Sequence, residues 1–155
     1  MINKNIIFAE ENIIAHGCNC QGKMGSGVAK AIRARWPVAY QHYIDRAASI
    51  HGLKLGTAQI VMVDTVQPKF VANCLTQEYY GYDGRAYASL EAIVSSMKEV
   101  AEFASRYNYS VALPPIGCGL GGLLWSEVGP IIEKIFGDQK VVYNVYDYRA
   151  ENWRS

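Results

Sequence analysis

The sequence predicts an α/β fold, a three-layer α/β/α sandwich with a mixed, mostly parallel central sheet. Short β-branched runs alternate along the chain with segments whose apolar residues recur at helical spacing. One pair of predicted strands is separated by four residues, which is too short for a parallel crossover and indicates an antiparallel hairpin. Half of the residues are hydrophobic, enough for helices to cover both faces of the sheet.

Length and composition predict one domain that covers residues 1–155. A chain of this size buries roughly 70% of the surface that it exposes when unfolded, so it needs no disulfides, and its cysteines are expected to be reduced thiols. The charged fraction of 19% excludes a disordered chain. No apolar stretch has the length of a signal peptide or a membrane span, so we expect a cytoplasmic protein without membrane contact.

The N-terminal part is predicted to contain two strands followed by two helices. Residues 5–8 and 12–15 are short β-branched runs typical of buried strands. A helix begins near Val28 and must end before Pro37, because proline disfavours helical geometry in the residue that precedes it. Apolar side chains at i, i+3, i+4 and i+7 predict the second helix: Tyr40, Tyr43, Ile44 and Ala47.

The middle of the chain is predicted to form the hairpin and a long helix. Residues 58–64 and 69–75 are the two strands of the hairpin. A polar, tyrosine-rich loop over 76–85 follows them. The long helix carries one apolar stripe: Leu90, Ile93, Val94, Met97, Val100, Ala101 and Ala104.

The C-terminal part repeats the order of strand, loop, helix and strand. Residues 110–113 form a strand that leads into a glycine-rich loop. Ser126 is a candidate N-cap for the next helix, and Gly137 is its expected stop. Residues 141–146 complete the sheet.

Two glycine-rich loops, Gly17–Gly27 and Gly117–Gly122, each lie between a predicted strand and a predicted helix. Open α/β sheets bind ligands beyond the carboxyl ends of their strands, so we expect the two loops to face one crevice. Main-chain N–H groups next to helix N-termini hold phosphate without a cationic side chain. The pair of loops therefore suits a diphosphate or two neighbouring anionic groups. The alternative is that these glycines only turn the chain.

The formal net charge of +1 supplies no overall field that would attract nucleic acid or an anionic membrane. The average charge thus argues against nucleic acid as a partner. Any bound anion must be held by local geometry.

Familiar cofactor and metal motifs are absent from the sequence. Gly22–Gly27 lacks the Lys and hydroxyl residue that complete a P-loop. Gly117–Gly122 contains G-x-G-x-x-G, but it lies late in the chain without a following ribose-binding acid. Cys18 and Cys20 are spaced more tightly than a zinc-binding pair. We therefore expect neither a cofactor nor a metal.

Residues 13–32 and 113–125, taken together, resemble the macrodomain family. The resemblance covers almost the whole chain and is strongest to the small single-domain branch. That branch includes ADP-ribose-1''-phosphate phosphatases, the terminal ADP-ribose protein glycohydrolase and short phage-encoded relatives. It implies an ADP-ribose pocket, with Asn19 near the hydroxyls of the distal ribose.

The resemblance implies that ligand-binding residues cluster in the two loops and at the ends of neighbouring strands. These are Gly25, Ser26, Gly27, Val28, Gln77, Pro115, Ile116, Gly117, Cys118, Gly119, Leu120, Gly121, Gly122 and Tyr146. Macrodomains usually bind the adenine amine with an Asp after the first strand, and residues 8–11 offer none. Glu10 or main-chain groups would replace it, and Tyr146 or Tyr148 would stack on the ring, although an aromatic at a sheet edge can also be simple packing.

Hydrolysis needs a group that activates water or stabilises the departing charge. The catalytic candidates are His16, Asn19 and Asp83, with Glu78 as a further possible base. His16 ends a predicted strand beside the first loop, and it can equally be a structural histidine. Asp83-Gly84 can equally be an ordinary turn.

The leading functional hypothesis is hydrolysis of ADP-ribose-1''-phosphate, with ADP-ribose or its 1''-phosphate as ligand. One alternative is a non-catalytic reader of free or protein-linked ADP-ribose. The other is removal of ADP-ribose from macromolecules. The Lys and Asp used by the glycohydrolase branch correspond to Gln77 and Gly121, so that activity would need a Lys-independent mechanism.

Overall fold

The described part of the chain forms one five-stranded sheet covered by four helices. The computed structural model describes residues 1–25, 27–79, 87–119 and 121–148. The strands are β1 (Ile13–Asn19), β2 (Ala58–Asp64), β3 (Lys69–Gln77), β4 (Val111–Leu113) and β5 (Tyr143–Val145). The helices are α1 (Gly27–Arg35), α2 (Pro37–Ala48), α3 (Leu90–Tyr107) and α4 (Trp125–Asp138). None of the helices in the described ranges is long and apolar enough to cross a membrane.

The strands lie in the order β2-β3-β1-β4-β5. β1 is parallel to both β3 and β4, and β4 is parallel to β5. β2 pairs with β3 in the antiparallel direction, with Ala58 opposite Cys74. The predicted hairpin and the mixed, mostly parallel sheet are both confirmed.

Two hydrophobic layers hold the helices on opposite faces of the sheet. α3 and α4 cover one face, where Ile93, Met97 and Val100 of α3 are fully buried. Burial of each such side chain contributes about 1.5–3 kcal/mol. α1, α2 and the N-terminal segment cover the other face, where Ile32 and Ala39 are fully buried. The predicted α/β/α sandwich is confirmed.

The largest difference from the predicted elements is at residues 5–8. The strand predicted there is wrong, since Ile6–Phe8 forms a 3-10 turn. The side chain of Asn5 accepts a hydrogen bond from the Ile7 N–H, which favours the turn over extended backbone. Ile2 supplies a short parallel bridge to Tyr146 instead.

Several helix and strand ends also differ from the predictions. Gly137 is not the stop of α4, since the helix continues through it to Asp138. Leu124, not Ser126, is the N-cap residue of α4, and no side chain caps this helix. β1 continues to Asn19 rather than ending near Ala15, because β3 pairs with it over that length. The longer strand changes the surroundings of His16.

Candidate functional site

The candidate site is the carboxyl edge of the sheet, where parallel strands β1 and β3 end together at Asn19 and Gln77 and β4 ends beside β1 at Leu113. The first loop, residues 20–26, joins β1 to α1, and the second loop, residues 114–124, joins β4 to α4. Because β1 and β4 are neighbours, the topology brings the two loops to one edge. Gln77 at the end of β3 bridges to Ala88, so the residues that flank the tyrosine-rich loop lie at this edge too.

Asn19 organises the first loop from the end of β1. Its Oδ1 accepts hydrogen bonds from the N–H groups of Gln21 at 3.0 Å and Lys23 at 3.3 Å, and its Nδ2 donates to the Lys23 carbonyl at 2.9 Å. The Tyr43 hydroxyl donates to the Asn19 carbonyl at 2.7 Å and accepts the Lys23 N–H at 3.1 Å. Nδ2 has a second hydrogen, and no other acceptor for it is present among the described residues. Asn19 thus holds the loop through both ends of its side-chain amide.

Tyr43 was missed as a site residue by the sequence reasoning. Its helical spacing indicates only a core position, and it is indeed fully buried. Burial raises the pKa of its hydroxyl, so this group remains a neutral donor. The long-range pairing of Tyr43 with Asn19 leaves no local pattern in the sequence.

The second loop is folded by its own main chain. Gly117 has a φ of 79°, and its carbonyl accepts the Leu123 N–H at 2.9 Å. A Cβ at Gly117 would lie 2.6 Å from Cδ1 of Ile93, so only glycine fits. The Gly121 carbonyl accepts the N–H groups of Tyr87 and Ala88, which ties this loop to the start of α3.

The end of β1 contacts both β3 and the second loop at Gly17. A Cβ on Gly17 would lie 2.8 Å from Oγ1 of Thr76 and 3.3 Å from Cγ1 of Ile116. Thr76 and Ile116 are almost completely buried, at 1% and 2% exposure. The absence of a side chain at Gly17 lets these parts pack closely.

Two loop glycines and the first residue of α1 face open space. Cβ atoms built on Gly25, Gly27 and Gly119 meet no atom within 4 Å. In the described part of the chain, the N–H groups of Gly25, Gly119 and Gly121 donate to no carbonyl. α4 begins beside the second loop without a side-chain cap. This arrangement can bind anionic groups through main-chain amides, as two glycine-rich loops predict.

His16 is placed inside the protein and not at the loops. It is fully buried on the α2 side of the sheet, and its Nε2 lies 2.7 Å from Oδ1 of Asn73. Asn73 Nδ2 donates to the Ala39 carbonyl and to Gln59, so its Oδ1 faces the histidine and Nε2 carries the hydrogen. Burial lowers the pKa of His16 from 6.5 to about 4. This enclosed position favours a structural role for His16 over the catalytic role that its sequence position suggested.

Tyr146 also points into the core. It is 7% exposed, packs with the α1 side of the sheet and donates its hydroxyl to Oε1 of Glu11 at 2.6 Å. Its ring is therefore not available to stack on a ligand. Tyr148, two residues further on, is 48% exposed beyond the carboxyl end of β5. Of the two tyrosines expected to stack on adenine, only Tyr148 keeps that possibility.

The other expected ligand residues lie in or beside the two loops. Gln77 is half-buried at the end of β3 and donates from Nε2 to the Tyr79 carbonyl at 2.7 Å. α1 and the second loop bring four more of the expected ligand residues to the carboxyl edge: Val28, Pro115, Cys118 and Gly122. Ser26, Asp83 and Leu120 lie outside the described residues.

A groove of about 580 Å³ lies elsewhere, on the outer side of α3 and α4. Its lining includes Leu90, Val94 and Ile131, and no loop glycine contributes to it. It is therefore separate from the candidate site.

The sheet and its paired loops define an α/β/α domain with two glycine-rich loops at one edge of a mostly parallel sheet. The chain belongs to the Macro domain family, whose model matches residues 15–132. It is 26% identical to the ADP-ribose 1''-phosphate phosphatase of Scheffersomyces stipitis, over 86% of this chain and 87% of that protein. It is 29% identical to the DNA ADP-ribosyl glycohydrolase of Thermus aquaticus, over 86% of this chain and 36% of that protein. The chain thus spans about a third of the length of the glycohydrolase.

Solved structures agree with this assignment. The macrodomain of Mycobacterium tuberculosis DarG superposes with a TM-score of 0.82 at 25% identity, covering 96% of this chain and 99% of that one. The family resemblance expected from the two loop sequences is confirmed.

Proposed function

We propose that this macrodomain binds ADP-ribose derivatives at the carboxyl edge and hydrolyses ADP-ribose-1''-phosphate to ADP-ribose and phosphate. The observation that carries the proposal is the placement of two loops with open glycines at the ends of neighbouring parallel strands. The phosphatase of Scheffersomyces stipitis supports it, because the match covers 87% of that protein's length.

In this proposal the main-chain amides of the two loops hold the diphosphate. Gly25 approaches from the first loop and Gly27 from the start of α1, and Gly119 and Gly121 approach from the second loop. The near-neutral chain needs no cationic side chain for this purpose, because oriented N–H groups supply the positive potential. The second hydrogen of Asn19 Nδ2 donates to a hydroxyl of the distal ribose, so Asn19 positions the substrate.

The reaction transfers a phosphoryl group to water. The water oxygen forms a bond to phosphorus while the bond between phosphorus and the oxygen on C1'' breaks. The departing oxygen then takes up a proton, and the water loses one. A carboxylate can carry out both proton transfers. Since His16 is enclosed, Asp83 is the proposed acid–base group, and exposed Glu78 is the second candidate.

The test is phosphate release from ADP-ribose-1''-phosphate, measured for the wild type, Asp83→Asn and the matched variant Glu78→Gln. We expect turnover by the wild type, a fall of about 100-fold or more in Asp83→Asn, and little change in Glu78→Gln. Calorimetry with ADP-ribose should give similar affinities for all three proteins. Tight binding of ADP-ribose without turnover by the wild type would instead identify a non-catalytic reader. Loss of turnover in Glu78→Gln alone would move the role to Glu78.

A further inference from the structure

The charges of this protein are unevenly distributed along the chain. Residues 21–57, from the first loop through α2 to the start of β2, carry six Lys and Arg and one acidic residue, a net charge of +5. The other 118 residues carry nine basic and thirteen acidic residues, a net charge of −4. The net charge of +1 is an average that hides this separation.

Three of the basic side chains form a stripe beside the first loop. Lys23 lies in that loop, and Lys30 and Arg33 follow on α1. Residues three apart on a helix lie about 5–6 Å from each other at Cβ, so Lys30 and Arg33 share one face. Ile32, between them in sequence, is fully buried and marks the opposite face. We call Lys23, Lys30 and Arg33 the α1 stripe.

The α1 stripe is exposed and not neutralised. All three residues are solvent-exposed. The ion pairs found in the described ranges are Arg106–Glu102 and Lys134–Asp138, both on the other layer. The positive charge of the stripe is therefore available to an external anion.

Arg33 is held in place by an aromatic ring. Its guanidinium carbon lies 3.9 Å from the centroid of the Tyr40 ring on α2. Such cation–π contacts are favourable by about 0.5–1 kcal/mol at exposed sites. The contact restrains the side chain while leaving its N–H groups free to donate outward, as in contacts of arginine with phosphate.

We propose that the α1 stripe binds the phosphodiester backbone of a single-stranded nucleic acid. Three exposed cations spread over the first loop and α1 suit the repeated negative charges of a strand better than one compact anion. The stripe is continuous with the first loop, so a bound strand would run up to the site. This inference adds a second contact surface and does not depend on the proposed hydrolysis.

An anionic membrane fits this surface less well. Peripheral membrane binding combines basic residues with exposed large apolar side chains. Within the described residues between 21 and 35, no large hydrophobic side chain is exposed. The stripe therefore has the charge for a membrane but not the apolar contact.

The experiment measures binding of a fluorescent 12-nucleotide single strand by anisotropy from about 25 to 200 mM salt. Three phosphate contacts predict a slope of log affinity against log salt of about −2. Lys30→Glu/Arg33→Glu should weaken binding at low salt at least tenfold and bring the slope closer to zero. The affinity and slope of Lys30→Gln/Arg33→Gln should lie between those of this variant and those of the wild type. The matched control, Lys98→Glu/Lys134→Glu, makes the same change of charge on the α3–α4 layer and should bind within about threefold of the wild type.

Three outcomes would overturn the proposal. The first is an equal loss in the stripe variant and the control, which would mean that only total charge matters. The second is salt-independent or undetectable binding of the strand. The third is tighter binding to vesicles of equal parts anionic and neutral phospholipid than to the strand. Calorimetry with ADP-ribose on the same variants separates this test from the proposed function, since it should be unchanged by substitutions in the stripe.

Discussion

His16 should make the protein lose stability below neutral pH. In the folded state burial lowers the pKa of His16 to about 4, whereas the pKa of the unfolded chain is 6.5. As the pH falls through this window, the unfolded chain takes up a proton that the folded protein does not, so the free energy of unfolding decreases. The two values predict a loss of about 2 kcal/mol between pH 7.5 and pH 5, and of about 3 kcal/mol near pH 4.

The assay is urea unfolding at several pH values between 7.5 and 4.5. His16→Gln keeps a neutral donor near Asn73 and removes the titrating ring. The change in its free energy of unfolding over this pH range should therefore be smaller than that of the wild type by about 2.5 kcal/mol. The control His51→Gln replaces an exposed histidine and should follow the wild type. Phosphate release by His16→Gln should remain within a few-fold of the wild type.

Two results would refute this reasoning. Parallel pH profiles for the wild type and His16→Gln would mean that His16 is not a buried neutral group. A loss of turnover in His16→Gln with normal stability and normal ADP-ribose binding would return His16 to a catalytic role.

Three further predictions concern the site and its support. Asn19→Ala should lower the free energy of unfolding by about 1–3 kcal/mol and weaken ADP-ribose binding, measured by urea unfolding and calorimetry, because the first loop loses its central acceptor. Gly119→Val should fold normally and weaken ADP-ribose binding, whereas Gly117→Val should lower the melting temperature, since its side chain would clash with the helix behind it. Tyr146→Phe should lower the free energy of unfolding by about 1–3 kcal/mol, measured by urea unfolding, because the Glu11 carboxylate loses the Tyr146 hydroxyl as donor. The affinity for ADP-ribose should be unchanged.

Each of these has a result that would contradict it. A stable Asn19→Ala protein with weak binding would show direct ligand contact without a role in holding the loop. Unchanged affinity in a folded Gly119→Val protein would place the diphosphate elsewhere. Weakened ADP-ribose binding in Tyr146→Phe at full stability would place Tyr146 in the ligand site.

The location of the site could be predicted from the sequence because it follows from topology. Two strand–loop–helix units in a parallel sheet place both loops at one edge whatever their detailed packing. The glycine content of each loop then indicated main-chain binding of an anion. The observed order of β3, β1 and β4 has this arrangement.

The role of His16 could not be predicted, because it depended on where a strand ends. A strand that ended near Ala15 would place His16 in the loop. In the structure β1 pairs with β3 up to Asn19, and this pairing encloses His16. Nothing local in Gly17-Cys18-Asn19 predicts strand, since glycine and asparagine disfavour it. The hydrogen bonds between β1 and β3, which are far apart in sequence, determine where β1 ends. The orientation of Tyr146 likewise depends on a residue distant in sequence, Glu11.

The contact at Gly17 also limits which residues the sheet tolerates beneath the site. A single methyl group there would press on Thr76 and Ile116, both of which are enclosed and have little room to retreat. Close packing of β1, β3 and the second loop therefore depends on a hydrogen atom in place of a side chain at residue 17. Substitutions along either loop leave this contact in place, whereas a larger residue at position 17 would force Thr76 or Ile116 to move.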